Sequence, residues 1–139
     1  MYQICYTIYE KNKKGSIINI ASNHAFNTTG NIGVYASAKG GVVAMIRSMG
    51  LELGKFGIRV NTIYPGFIWT SAIEKFVNLE EDPKAAKKYY EDLHPIGRMG
   101  TPEDIINFVI FLGSDLSSYM TAVTVVVDGG VSTELFKAY

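Results

Sequence analysis

Tyr35 and Lys39 stand four residues apart, a spacing that stacks two side chains on one face of a helix. A phenol titrates near ~10 and is a poor acid or base at neutral pH. An ammonium beside it favours the phenolate. A tyrosine tuned in this way can exchange a proton with a carbonyl or alcohol oxygen. Ser22 stands thirteen residues before Tyr35, at the end of a short apolar run where α/β folds place their ligands. Its hydroxyl could hydrogen-bond the same substrate oxygen. The Tyr-x-x-x-Lys spacing alone is a weak signal. The chain has nine tyrosines, and Tyr9 and Lys13 repeat the spacing with no serine-tipped strand before them. That second pair reads as a solvated helix end. As bare residue types, Ser22, Tyr35 and Lys39 read as a strand-end serine and a surface pair.

The elements around these residues alternate between strand and helix, which argues for an α/β fold with a parallel sheet. Residues 1–11 read as a helix end, and Cys5 as a buried residue within it. Residues 16–21 are an Ile-rich run suited to a strand buried on both faces. The polar stretch 22–32 reads as a loop, and His24 as an exposed histidine within it. Residues 34–55 form the longest helical stretch, with Val42, Val43, Met45, Ile46, Met49 and Leu53 as apolar positions. The glycines Gly40, Gly41, Gly50 and Gly54 suggest close packing against another backbone, and Gly57 a C-terminal cap.

Residues 58–64 read as a second strand, stopped by Pro65-Gly66. Residues 70–94 predict two short helices divided near Asp82-Pro83. Thr101-Pro102-Glu103-Asp104 is a helix start, with a capping threonine, proline in the first turn and two acids at the positive helix end. Ile105, Ile106, Val109, Ile110 and Leu112 predict a buried stripe along that helix. Residues 123–127 are a third, β-branched strand closed by Asp128-Gly129-Gly130. Right-handed crossovers make the three strands parallel.

The chain has 139 residues, enough for one small domain. Thirteen basic and thirteen acidic side chains cancel, which argues against nucleic acid or an acidic membrane surface as partner. No apolar run approaches the ~18 residues of a membrane helix. A single cysteine and the lack of a secretory leader predict a cytoplasmic protein. No second histidine sits at ligand spacing, so no metal site is expected. Phe67 and Trp69 read equally as pocket lining or as packing, and Tyr89-Tyr90 as packing within the 70–94 segment.

Five ordered motifs make the sequence resemble the short-chain dehydrogenase/reductase family over about residues 15–130. Gly15-Ser16-Ile17-Ile18-Asn19-Ile20-Ala21-Ser22 is similar to the family's fifth strand with its serine. Tyr35-Ala36-Ser37-Ala38-Lys39-Gly40-Gly41 resembles its catalytic helix start. Residues 58–70 resemble its sixth strand and nicotinamide loop. Gly97-Arg98-Met99-Gly100-Thr101-Pro102-Glu103-Asp104 and Val127-Asp128-Gly129-Gly130 resemble its late helix start and last strand.

The resemblance implies a partial Rossmann-like doubly wound parallel sheet, three C-terminal strands with flanking helices. It implies a single partial domain over residues 1–139, with 70–94 as a substrate-side lid. Tyr35 would donate and accept the proton. Lys39 would tune Tyr35 and hold the nicotinamide ribose. Ser22 would orient the substrate oxygen. Backbone around Pro65, Gly66 and Ile68, with the Thr70 hydroxyl, would grip the carboxamide. The reaction would be hydride transfer between NAD or NADP and a small-molecule alcohol/carbonyl pair. A homo-oligomer through the 34–55 helix is expected.

The sequence departs from the family in lacking the first strand, the Gly-rich turn that seats a pyrophosphate, and the asparagine before the fifth strand. Gly50-x-x-x-Gly54-x-x-Gly57 closes a helix and precedes a strand, the reverse of the required order, and reads as packing and capping. Ala122 stands where the family usually has glycine, which bears on local packing. The sequence therefore resembles the C-terminal half of such an enzyme and predicts an open apolar sheet edge and a fold that is marginal alone or rescued by self-association. The alternatives are a catalytically silent remnant or oligomerisation module, and an epimerase or dehydratase using the same tyrosine and lysine.

Overall fold

A computed structural model of the chain describes residues 14–133. The expected helix end at residues 1–11 and Cys5 lie outside the described residues. The described part contains β1 (Gly15–Ile20), a 3-10 turn (Asn23–Ala25), α1 (Gly33–Gly54), β2 (Ile58–Pro65), α2 (Ser71–Val77), α3 (Pro83–Asp92), α4 (Pro102–Gly113), a second 3-10 turn (Asp115–Ser117) and β3 (Thr124–Val127).

The sheet runs β1-β2-β3, with both pairs parallel. β2 lies at its centre, and Ile58, Val60, Asn61, Thr62, Ile63 and Tyr64 are buried. Alternation along each strand divides the side chains between two faces. On one face Ile17, Ile58 and Val60 pack with Ile46, Met49 and Leu53 of α1. On the other, the Ser16 hydroxyl donates to the Leu112 carbonyl of α4 at 2.8 Å, and Arg59 donates to Ser117 Oγ at 3.0 Å and the Ser114 carbonyl at 3.1 Å. Helices thus cover both faces, the doubly wound arrangement.

Two expectations about burial fail. β1 is half-buried, with Ile20 44% exposed, because among the described residues it has a strand on one side and none on the other. On α4, Leu112 is fully buried but Ile106 and Ile110 are exposed. A three-stranded sheet covers a narrower stripe of that helix than its apolar periodicity suggests. Met45 of α1 is likewise exposed.

The glycines near the end of α1 have separate jobs. Gly57 takes φ +74° and its amide bonds the Gly54 carbonyl at 3.0 Å, turning the chain into β2. Gly50 is buried, and a Cβ there would lie 2.8 Å from Ala122 Cβ. Ala122 itself has φ +58° while its amide bonds the Val60 carbonyl at 2.7 Å. An L-residue pays about 1–2 kcal/mol for that conformation, more than the ~0.4–1 kcal/mol by which glycine loosens the unfolded chain. Ala122→Gly is therefore expected to stabilise the fold by about 0.5–1 kcal/mol, seen as a higher urea midpoint with an unchanged slope.

Candidate active site

β1 runs into an extended Ser22 (φ −167°, ψ 155°), which caps the 3-10 turn Asn23–Ala25. The stretch expected to be an open loop therefore begins as an ordered turn. Ser22 is buried. Its hydroxyl donates to Asn23 Oδ1 at 3.2 Å and accepts from the His24 amide at 3.2 Å. Ala21, one residue earlier, donates its amide to the Ile63 carbonyl at 2.9 Å. This ties the β1 end to the end of β2.

Tyr35 and Lys39 occupy the first turns of α1. The four-residue spacing turns both toward the end of β1. Lys39 Nζ donates to the Ile20 carbonyl at 3.2 Å and lies 5.7 Å from the centroid of the Tyr35 ring. Tyr35 is 46% exposed, so its ring is open to a small molecule. The 3-10 turn lies alongside the start of α1, where a Cβ on Gly40 would make an ordinary contact with the Ala25 carbonyl oxygen at 4.0 Å.

His24 departs from its expected place on an exposed loop. It is half-buried, and its ring packs edge-on to that of Tyr35, with centroids 5.9 Å apart and an interplanar angle of 75°. Its Nδ1 is enclosed without a hydrogen-bond partner. The turn, not an open loop, carries it inward. Ser22 followed by Asn23, two residues that readily bond nearby backbone, was the sequence signal for that turn.

The segment after β2 is pinned along its main chain. The Gly66 amide donates to the Val127 carbonyl at 3.1 Å, and a Cβ on Gly66 would fall 2.8 Å from Asp128 Cα, so a larger residue would push the loop off β3. Ile68 bridges to Gly100. The Gly100 amide donates to the Phe67 carbonyl at 2.9 Å, and the Trp69 amide to the Gly100 carbonyl at 2.8 Å. Thr70 caps α2, its Oγ1 accepting from the Ile73 amide at 3.4 Å. Pro65 closes β2 in register with Val127. Phe67 packs on Tyr90 of α3 (4.8 Å between centroids) and on His94 (6.3 Å), and Lys87 Nζ lies 4.8 Å from the Trp69 ring centroid. Both aromatics pack against α3, and Phe67 also lines a small cavity, so the two readings of that residue hold together.

The Gly100 strut is held by Arg98 and Asp104. The guanidinium donates to both carboxylate oxygens, at 2.7 and 3.0 Å, and the Thr101 amide adds a bond of 2.8 Å. Arg98, with the Thr101 amide, holds the Asp104 carboxyl well below the usual carboxylate range. At the end of β3, burial works against the charge on Asp128. Hydrogen bonds from Ser132 and Gly130 outweigh it and keep the carboxyl below its ordinary value. These two acids are structural props of the loop on each side.

Ser22, Tyr35 and Lys39 thus gather at the end of β1, and Pro65, Gly66, Ile68 and Thr70 follow the end of β2. Both groups stand at the carboxyl edge of the parallel sheet, where open α/β sheets bind ligands. A cavity of about 170 Å³ lies between the 67–68 loop and Asp128, lined also by Arg98 and Gly100. A larger one, about 550 Å³, opens at the amino ends of β1 and β2 beside Lys14 and Tyr119, away from these residues. The charged groups that line the larger space are paired within the fold: Lys14 with Asp115 at 2.7 Å, and Arg59 with Ser117 and the Ser114 carbonyl.

Among the described residues no three His, Cys, Asp or Glu side chains are grouped to hold a metal ion, and no helix is long and apolar enough to cross a membrane.

Known proteins share this fold. A family model described as enoyl-(acyl carrier protein) reductase matches residues 1–132. A 3-oxoacyl-(acyl-carrier-protein) reductase of Chlamydia pneumoniae is 41% identical over 135 residues, covering 95% of this chain and 52% of that protein. A (3R)-3-hydroxyacyl-CoA dehydrogenase of Mus musculus is 42% identical over 120 residues, covering 85% of this chain and 43% of its own length. The crystal structure of a levodione reductase superposes with a TM-score of 0.84 at 38% identity, over 91% of this chain and 50% of that one. The chain spans about half the length of the curated relatives it matches. A family model matched over nearly the whole chain, with relatives about 40% identical along that shared half, shows the family: the chain belongs to the short-chain dehydrogenase/reductase family.

Proposed function

We propose that this chain carries the proton-transfer and nicotinamide-facing part of an NAD- or NADP-dependent oxidoreductase acting on a small-molecule alcohol/carbonyl pair. The observation that carries the reading is the convergence of Ser22, Tyr35 and Lys39 on one strand end, with the Lys39 ammonium 3.2 Å from the Ile20 carbonyl and 5.7 Å from the Tyr35 ring centroid.

In this reading the Tyr35 phenol holds the proton that passes to or from the substrate oxygen, and the Ser22 hydroxyl hydrogen-bonds the same oxygen. To do so, the serine proton turns from Asn23 Oδ1 to the substrate. The Lys39 ammonium places a positive charge beside the phenol and has donors left for ribose hydroxyls. The main chain at Pro65, Gly66 and Ile68, with the Thr70 hydroxyl, offers amide-binding groups on a loop pinned by Gly100 and β3. A bound nicotinamide supplies hydride chemistry. The residues present fit that end of the cofactor: Tyr35 is half exposed, and the main chain of the loop after β2 is held in place by Gly100 and Val127. Among the described residues no Gly-rich turn leads from a strand into a helix in the way that seats a pyrophosphate. The relatives' names specify a 3-oxoacyl-(acyl-carrier-protein), a (3R)-3-hydroxyacyl-CoA and levodione, so the substrate reading stays at the alcohol/carbonyl class. Residues 70–94, built as α2 and α3, form the substrate-side lid of a single partial domain, 1–139. A cytoplasmic setting suits such a reaction.

A second reading has its own observation. α1 exposes Val34 and Met45, eleven residues apart and so on one face of the helix, apolar groups that a second copy could cover. In that reading the chain is an oligomerisation module without turnover. Titrating NADH and NADPH into the purified protein and following nicotinamide fluorescence separates the two. Saturable binding is expected; its absence at millimolar cofactor would favour the module.

A further inference from the structure

We propose that His24 is a positioning residue for the Ser22–Tyr35 pair, its ring orienting the Tyr35 phenol and its backbone amide orienting the Ser22 hydroxyl. This rests on the oxidoreductase reading, in which both groups must meet one substrate oxygen. They come from different elements, the end of β1 and the first turn of α1. His24 touches both. Its amide donates to Ser22 Oγ at 3.2 Å, and its ring meets the Tyr35 ring edge-on at 5.9 Å.

The problem His24 solves is rotational. A tyrosine in the first turn of a helix has two open χ1 wells, and a half-exposed one has little packing to choose between them. An edge-to-face partner biases such a choice about two- to tenfold. Lys39 is engaged by the Ile20 carbonyl, and among the described residues His24 is the aromatic ring that meets Tyr35. That ring is itself held. The Ala25 amide bonds the Ser22 carbonyl at 3.0 Å, and the Phe26 amide the Asn23 carbonyl at 2.9 Å, so the turn bearing His24 is closed on both sides. The ring is half-buried and meets Tyr35 edge-on, so its place against the phenol is set by ring packing. One turn therefore sets the separation of hydroxyl and phenol.

The role is tested in the intact protein by comparing His24→Ala with His24→Phe, which keeps an aromatic edge and removes both nitrogens. In the unsubstituted protein, nuclear Overhauser contacts between the rings of His24 and Tyr35 are expected. His24→Ala should move the Tyr35 ring resonances and lower kcat about tenfold, with KM for the cofactor changed less than about twofold. His24→Phe should restore most of the turnover. Absent ring contacts, unaltered Tyr35 resonances and kcat in His24→Ala, or equal loss of turnover in both variants would each overturn the proposal. The ring signals need neither cofactor nor substrate. An unsubstituted protein with the ring contacts but without turnover would therefore count against the oxidoreductase reading and leave the packing role supported.

Discussion

Tyr35→Phe is expected to lower turnover by about 10²–10⁴-fold, the usual worth of a positioned acid or base, while the protein stays folded. The substitution removes one oxygen from a side chain that is 46% exposed and leaves the aromatic edge that meets His24. Stability should change by less than about 0.5 kcal/mol, as for surface substitutions generally. The loss should fall on kcat, with the substrate KM nearly unchanged, since the proton is exchanged in the transition state and contributes little to the ground-state complex. Nicotinamide absorbance follows the rate, and circular dichroism follows the fold. A variant that turned over within about twofold of the unsubstituted protein would remove Tyr35 from the chemistry.

The largest effect on stability is expected from Ile46→Ala. Ile46 has no exposed surface, and it stands where Met49, Leu53, Ile58 and Val60 meet between α1 and β2. Shortening it removes three carbons from a contact that joins the longest helix to the central strand. Such truncations cost about 2–5 kcal/mol, the lost transfer free energy plus the cavity left behind. A value near 3–4 kcal/mol is expected here, because β2 is hydrogen-bonded on both sides and cannot shift to fill the space. Against the total stability of an ordinary domain, about 5–15 kcal/mol, that is a large fraction. Urea unfolding measures it directly, and a loss under about 1 kcal/mol would show that α1 is not held by this cluster.

Much of the architecture was readable along the chain. Thr101-Pro102 opens α4 as expected, and Asp82-Pro83 opens α3. Gly57 turns the end of α1 into β2, and the three β-rich runs are strands. These features depend on preferences acting over a few residues: a side chain bonding a nearby amide, a fixed proline φ, a glycine at positive φ, side chains alternating along a strand. The same locality put Tyr35 and Lys39 on one helix face. The misjudged burial on β1 and α4 has the opposite origin. Apolar spacing tells which side of an element wants cover, but not how much of that cover exists.

The site shows the same division. Residue types and spacing were enough to nominate Ser22, Tyr35, Lys39 and the 65–70 loop, since helix pitch and strand ends are local matters. Three features depended on the packed molecule: His24 turned inward against Tyr35, Gly100 clasping Phe67 and Trp69, and Ala122 at positive φ against Gly50. Each depends on groups meeting across elements, as Ser16 and Leu112 also do when they bond across 96 positions of chain. Local preference carries no information about such meetings. They are set when helix and sheet surfaces are pressed together until no further atom fits.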